Sequence, residues 1–176
     1  MEISKDDFLK LIPELWTGGT CLYVGAKPAR REMAETMKEI GFAVDAIEAW
    51  PNHYFGLTDW NKKNQVFRDI FLGNVLYAER IVRRTYDVVM WWHGPEHVAK
   101  EALPDFLATI QRICRGTIIM AFPHGDFEQS PLEGNPMDAH LWFPKAIDFP
   151  GWNSKAYLGR DEKEWPQIVV WKKSGE

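Results

Sequence analysis

The sequence predicts an open α/β fold: a three-layer α/β/α sandwich around a mostly parallel sheet of seven strands that closes on an antiparallel hairpin. Three observations predict it. Short apolar runs rich in Val, Ile and aromatics alternate with amphipathic stretches along the chain, the pattern of right-handed βαβ crossovers. Gly and Pro punctuate the joints between them. The last two strand-like runs are separated by a short polar turn, so they are expected to pair antiparallel.

The 176 residues are read as one domain, 1–176, long enough to bury a substantial core. A hydrophobic fraction of 45% with nine tryptophans excludes a disordered chain. A net charge of −4 supplies no positive field for a nucleic-acid backbone, and the clusters Lys62-Lys63 and Arg80 with Arg83-Arg84 are small. The start, MEISKDDFLKLIPELW, lacks a basic region followed by an apolar one, so no signal peptide is expected. No apolar run approaches the roughly 18 residues of a membrane span. The two cysteines, Cys21 and Cys114, lie in apolar contexts without C-x-x-C spacing, which suits reduced thiols and a cytoplasmic protein.

The elements follow in order. An amphipathic opening segment carries Phe8, Leu11, Ile12 and Leu15, and Gly18-Gly19 ends it. TCLYVGA reads as the first strand. Pro28 suits a first helical turn, and the helix should run to Ile40 with Met33, Met37 and Ile40 on one face. Arg31 and Glu35 should pair across a turn of it, and Gly41 should stop it. FAVDAIEAW is the second strand, with Glu48 near its end. The polar stretch PNHYFGLTDWNKKNQ has room for one short helix. FRDIFLGNVL and YDVVMWW are the third and fourth strands. A helix is expected to open at Pro95, with a break or kink at Pro104. GTIIMAF is the fifth strand, ended by Pro123. A loop, a short helix near 140–148, and the strands NSKAYLG and PQIVVWKK complete the chain.

In an open α/β sheet, ligands sit at the carboxyl ends of the strands, near the reversal of strand order. That rule places Gly25-Ala26, Glu48, Asn74, Trp91 to His93 and Pro123-His124 on one rim. The stretch YDVVMWWHGPEHV contains H-x-x-E-H, the spacing of a zinc-hydrolase helix. Such a site needs both histidines one turn apart on a continuous helix. His93 ends a strand and Gly94-Pro95 interrupts the path, so no metal is assigned to that motif. Asn135-Pro136 reads as a turn. No G-x-S-x-G elbow or phosphate-binding loop is present.

The same stretch resembles the fourth strand and following E-H pair of class I S-adenosylmethionine-dependent methyltransferases of the type 11 kind. RGTIIMAFPHG resembles that family's fifth strand with its terminal proline. Asp87 stands at the family's acidic start of strand four, Glu96-His97 at its E-H pair and Pro123 at its proline. The similarity spans roughly residues 20–173 and is strong from Tyr86 to Gly125.

The resemblance implies S-adenosylmethionine as cofactor. Gly25, Ala26 and Lys27 would form the turn that holds its methionyl and ribose portions. Glu48, Ala49 and Trp50 would meet the ribose, with Trp50 free to stack on a planar group. Asn74 and Val75 would line the adenine, Asn74 through its amide oxygen, and Trp91, Trp92 and His93 would close over the cofactor. The chain departs from the family's D-x-G-x-G-x-G turn, because Tyr23, Lys27 and Ala29 replace the acidic residue and the second and third glycines. Lys27 is placed either to reach the methionyl carboxylate or to fill the space the cofactor needs.

The function expected from the resemblance is methyl transfer to a small-molecule acceptor. The alternative is an inactive relative serving as a ligand-binding or interaction module. Candidate general bases are His93, His124 and His140, since an imidazole suits proton removal near pH 7. Residues 129–151 would build the acceptor pocket. A small-molecule substrate is the expected partner, with no membrane or nucleic acid and with a homodimer left open.

Overall fold

The structure is a computed structural model that describes residues 3–15, 17–28, 31–132, 134–158 and 166–175. Ala29 lies outside the described residues. Seven strands form one sheet: β1 Gly19–Val24, β2 Phe42–Glu48, β3 Phe67–Leu72, β4 Tyr86–Trp92, β5 Cys114–Pro123, β6 Asn153–Tyr157 and β7 Gln167–Lys173. Their order is β3-β2-β1-β4-β5-β7-β6. β1 to β5 run parallel, and β7 enters antiparallel between β5 and β6. The order reverses between β1 and β4, which opens a crevice at their carboxyl ends.

Among the described residues, five α-helices flank the sheet: α1 Lys5–Leu11, α2 Glu32–Ile40, α3 Pro51–Asn64, α4 Ala78–Val82 and α5 Leu103–Ile113. Strand alternation sends successive side chains to opposite faces and creates two cores. Cys21, Tyr23, Met90 and Trp92 join Phe8, Met33, Met37 and Leu57 of the first three helices. Leu22, Val24, Val89 and Trp91 join Phe106, Ile110 and Ile113 of α5 on the other side. Both cysteines are buried free thiols, and burial pushes the Cys114 thiol up to about 11.

Gly41 stops α2 in the left-handed conformation, at φ +106°, and Arg31 lies 3.9 Å from Glu35. α2 begins at Glu32, later than expected, and Pro28 precedes it, close against Gly56 of α3. The polar stretch forms a full 14-residue helix, α3, in place of a short one. Only Leu57 of α3 is fully buried, so no apolar stripe announced it. Its ends are fixed locally: Pro51 opens it, Gln65 closes it in a left-handed conformation, and Asn61 bonds both backbone groups of Phe67 at 2.8 Å.

Two expectations about helices are corrected. The segment after β4 makes short 3-10 turns at Pro95–His97 and Lys100–Ala102, and Pro104 lies in the first turn of α5. A first-turn proline costs nothing because its missing N–H would be unpaired there, so Pro104 begins the helix instead of breaking it. The helix expected near 140–148 is a single 3-10 turn, Ala146–Asp148.

Two aspartates pin the lower part of the sheet. Asp45 of β2, fully buried, accepts hydrogen bonds from Arg68, Arg84, the Tyr86 hydroxyl and the Asp69 amide. Asp87 of β4 accepts from the Thr20 amide at 2.8 Å and from Arg115 at 2.8 and 3.0 Å. That carboxylate sits where a Cβ on Gly19 would stand 2.5 Å from it. Asp87 therefore ties β1, β4 and β5 together at their amino ends, away from the crevice.

Candidate functional site

A cavity of about 290 Å³ opens at the carboxyl ends of β1, β2 and β4. Gly25, at φ +73°, turns the chain out of β1, and a Cβ added there would meet nothing within 4 Å. A ligand can therefore approach this backbone closely. Lys27 also lines the cavity, and its ammonium pairs with Asp138, a buried carboxylate of the tail. Ala26 is fully buried between them and packs into the core, which removes it from the set of ligand contacts.

Glu48 ends β2 and is 5% exposed, yet it faces the cavity. Its Oε1 accepts the Trp50 amide at 2.7 Å and lies 3.8 Å from His53 Nδ1. Burial raises its carboxyl to about 7, against the opposing pull of the Trp50 hydrogen bond and the Lys27 charge. Ala49 lines the cavity. Trp50 does not: it caps α3 and contributes its backbone N–H to Glu48. Asn74 and Val75 line the cavity beyond β3, but the Asn74 amide oxygen already accepts the Leu76 amide at 2.9 Å. One lone pair and the amide NH2 remain for a ligand.

Trp91 and Trp92 cannot both face one cleft, because they are consecutive residues of a strand. Trp91 lines the cavity and stacks on Phe106, with centroids 5.6 Å apart. Trp92 points to the opposite core, 6.1 Å from the Phe8 ring, and is corrected from cofactor contact to core residue. The indole of Trp91 also explains Gly94, since a Cβ there would lie 1.8 Å from its Nε1.

His93 follows β4 in a left-handed conformation, φ +54°, uncommon for a side-chain-bearing residue. It lines the cavity, and its Nδ1 stands 3.3 Å from Glu96 Oε1. His124 is exposed and absent from the lining, so it drops out as a base for this cleft. His140 is also absent from the lining. Its ring packs 5.0 Å from that of His97, which does line the cavity and whose pKa is lowered mainly by burial. As expected, His93 and His97 share no helical turn.

The tail closes one side. Asn135, 2% exposed, accepts the Met137 amide at 3.0 Å and forms the turn that carries Met137, Asp138 and Leu141 into the lining. The Leu141 amide donates to the Glu96 carbonyl at 2.8 Å, which fastens the tail to the segment after β4. Asp138 and its hold on Lys27 were missed from sequence. The one available signal was Asn135-Pro136-x-Asp138, a turn signature that fixes a local shape but names no distant partner.

No protein-family model matches the sequence, and no curated protein does. Solved structures do match. A structure from Clostridium acetobutylicum, described as an S-adenosylmethionine-dependent methyltransferase, aligns with TM-score 0.65 at 9% identity, over 89% of this chain and 84% of that one. Magnesium protoporphyrin IX methyltransferase (ChlM) from Synechocystis, with bound SAH, gives 0.64 at 10% identity, over 94% and 78%. TehB from Haemophilus influenzae gives 0.62 at 13% identity over 97% of this chain, which spans 61% of TehB. At such identities the likeness shows the fold: the seven-stranded mixed sheet of class I methyltransferases.

Proposed function

We propose that this chain is an S-adenosylmethionine-dependent methyltransferase with a small-molecule acceptor, of the type 11 kind. The observation that carries the reading is the buried Glu48 carboxylate facing the cavity beside the open-sided turn at Gly25. A carboxylate can accept from both vicinal ribose hydroxyls, and burial strengthens a charge-assisted bond. The residues present fit the cofactor at three points. Gly25 leaves room for close approach, Glu48 can accept the ribose hydroxyls, and Asn74 with Val75 edges the adenine position. Relatives of the same fold include ChlM crystallised with bound SAM.

When bound, the cofactor supplies a methyl group activated on a sulfonium. The cleft would hold an acceptor in line with that methyl group and keep water away from it. Trp91 on Phe106 provides a flat apolar wall. His93 is the base for an acceptor that must lose a proton, with Glu96 orienting its ring through Nδ1. Lys27 counters the charge of a methionyl carboxylate, in competition with Asp138. Residues 135–141 frame the acceptor side.

Titration calorimetry with S-adenosylmethionine tests the reading. Binding is expected, and Glu48→Gln should weaken it by about 1–3 kcal/mol, the worth of a charged hydrogen bond. A folded protein that ignores millimolar cofactor would leave the inactive binding module in its place.

A further inference from the structure

We propose that Glu96, His97 and His140 form a binding site for a divalent transition-metal ion such as Zn2+. The three residues each bring one donor atom to within 4.8 Å of the others. His97 and Glu96 sit in the short turn after β4, and His140 arrives from the tail.

Glu96 is the independent observation. It is 1% exposed, and its Oε2 has no hydrogen-bond partner, while Oε1 is engaged by His93. A buried carboxylate oxygen without a partner is costly, so a cation beside it resolves an otherwise unfavourable arrangement.

The histidines are prepared in the same sense. His97 Nδ1 stands 3.1 Å from the Ala139 carbonyl, and His140 Nδ1 stands 2.5 Å from the Phe127 carbonyl. A carbonyl oxygen only accepts, so each Nδ1 carries the proton and each Nε2 keeps a lone pair. Backbone carbonyls that fix the tautomer are the usual outer partners of metal-bound histidines. Two imidazoles and one carboxylate favour a transition ion over Mg2+ or Ca2+, which take mainly oxygen ligands.

Donors around a tetrahedral ion with bonds of about 2.0–2.1 Å stand about 3.4 Å apart. The 4.8 Å limit exceeds that separation by about 1.4 Å, within reach of side-chain adjustment. Three protein ligands leave a further position for water or a substrate oxygen. Because His97 also lines the cleft, the ion would stand at its wall, next to His93. The site does not depend on the methyl-transfer reading.

The test uses tag-free full-length protein stripped with a chelator and titrated with Zn2+, and separately with Co2+ to read visible absorption. One-to-one binding is expected, with a rise in Tm. His140→Asn and Glu96→Gln should each weaken affinity by about 100-fold or more, beyond the loss typical of an outer-sphere change. The exposed His124→Ala should leave it unchanged. Thermal melts without metal report whether each variant folds, and if Glu96→Gln does not, the half-buried His140→Asn decides. Absence of binding by either ion, or binding that survives His140→Asn intact, would overturn the site.

Discussion

Two sets of carboxylates in this sheet have opposite surroundings. Lower in the strands, Asp45 is ringed by two arginines, a tyrosine hydroxyl and an amide, and Asp87 by Thr20 and Arg115. At the carboxyl rim, Glu48 is held by the Trp50 and Ala49 backbone and has a raised pKa, and Glu96 keeps one oxygen unpartnered. All but Asp87 are buried to 5% exposure or less. Burial alone does not separate structural from functional acids; the difference is unused bonding capacity. The lower pair spends its oxygens on holding strands together. In the proposed roles, the rim pair keeps its remaining capacity for a ligand.

The largest loss of stability is expected at Asp45. Asp45→Ala leaves the Arg68 and Arg84 guanidiniums beside an empty place and strips the buried Tyr86 hydroxyl of its acceptor. The Arg68 and Arg84 side chains are 41% and 38% exposed and stay hydrated, so the cost falls chiefly on the stranded Tyr86 hydroxyl, at about 1–3 kcal/mol. Urea unfolding should show a loss of that order. A loss under about 1 kcal/mol would mean that Asp45 is as dispensable to the fold as the rim acids are held to be.

Glu48 should behave in the opposite way. Its folded pKa of about 7 lies above the ordinary 4.5, so the folded state binds the proton more tightly than the unfolded chain does. The stability this contributes is fully present below about pH 4.5 and is lost as the pH rises through about 7. The difference corresponds to roughly 3 kcal/mol. Glu48→Gln should flatten that decline and make the protein more stable near neutrality. S-adenosylmethionine affinity should rise over the same interval in the wild type, because the ionised carboxylate is the better acceptor for ribose hydroxyls. A stability profile identical in the two proteins would place Glu48 with the structural acids.

How much of this was legible in the sequence follows the same division. The succession of strands, the closing hairpin and the rim could be read because alternation and glycine placement are local signals. Glu48, Asn74, Gly25 and Trp91 fell on the cleft because strand ends are set by those signals. Trp92 was misassigned by one step of the strand period, and α3 was underestimated because caps, not an apolar stripe, define it. Asp138 on Lys27 and His140 beside His97 join residues far apart in sequence, through a tail without periodicity. No local pattern encodes such pairings.

Gly25 sharpens the rim side by a smaller amount. Gly25→Ala meets no neighbour, so its cost is conformational, about 1–2 kcal/mol for a left-handed alanine. The added methyl faces the cavity, and cofactor affinity should fall together with stability. A variant that loses stability but keeps its affinity would move the ligand away from this turn.

The smallest effect is expected at Asp87, and it has the opposite sign in pH from that at Glu48. Hydrogen bonding by Arg115 holds the carboxyl down at about 2, below the ordinary 3.8, with the Thr20 amide and hydroxyl adding to it. A depressed folded pKa means that the stability contribution exists above about pH 3.8 and disappears as the pH falls through about 2. The side chain is 29% exposed and Arg115 more so, so solvent screening limits the gain to about 1 kcal/mol or less. Asp87→Asn keeps the shape beside Gly19 while removing the charge. Its denaturation curves should diverge from wild type above about pH 4 and converge below about pH 2. Convergence at high pH instead would show that Arg115 contributes nothing, and that Asp87 joins β1 to β4 only through neutral hydrogen bonds to Thr20.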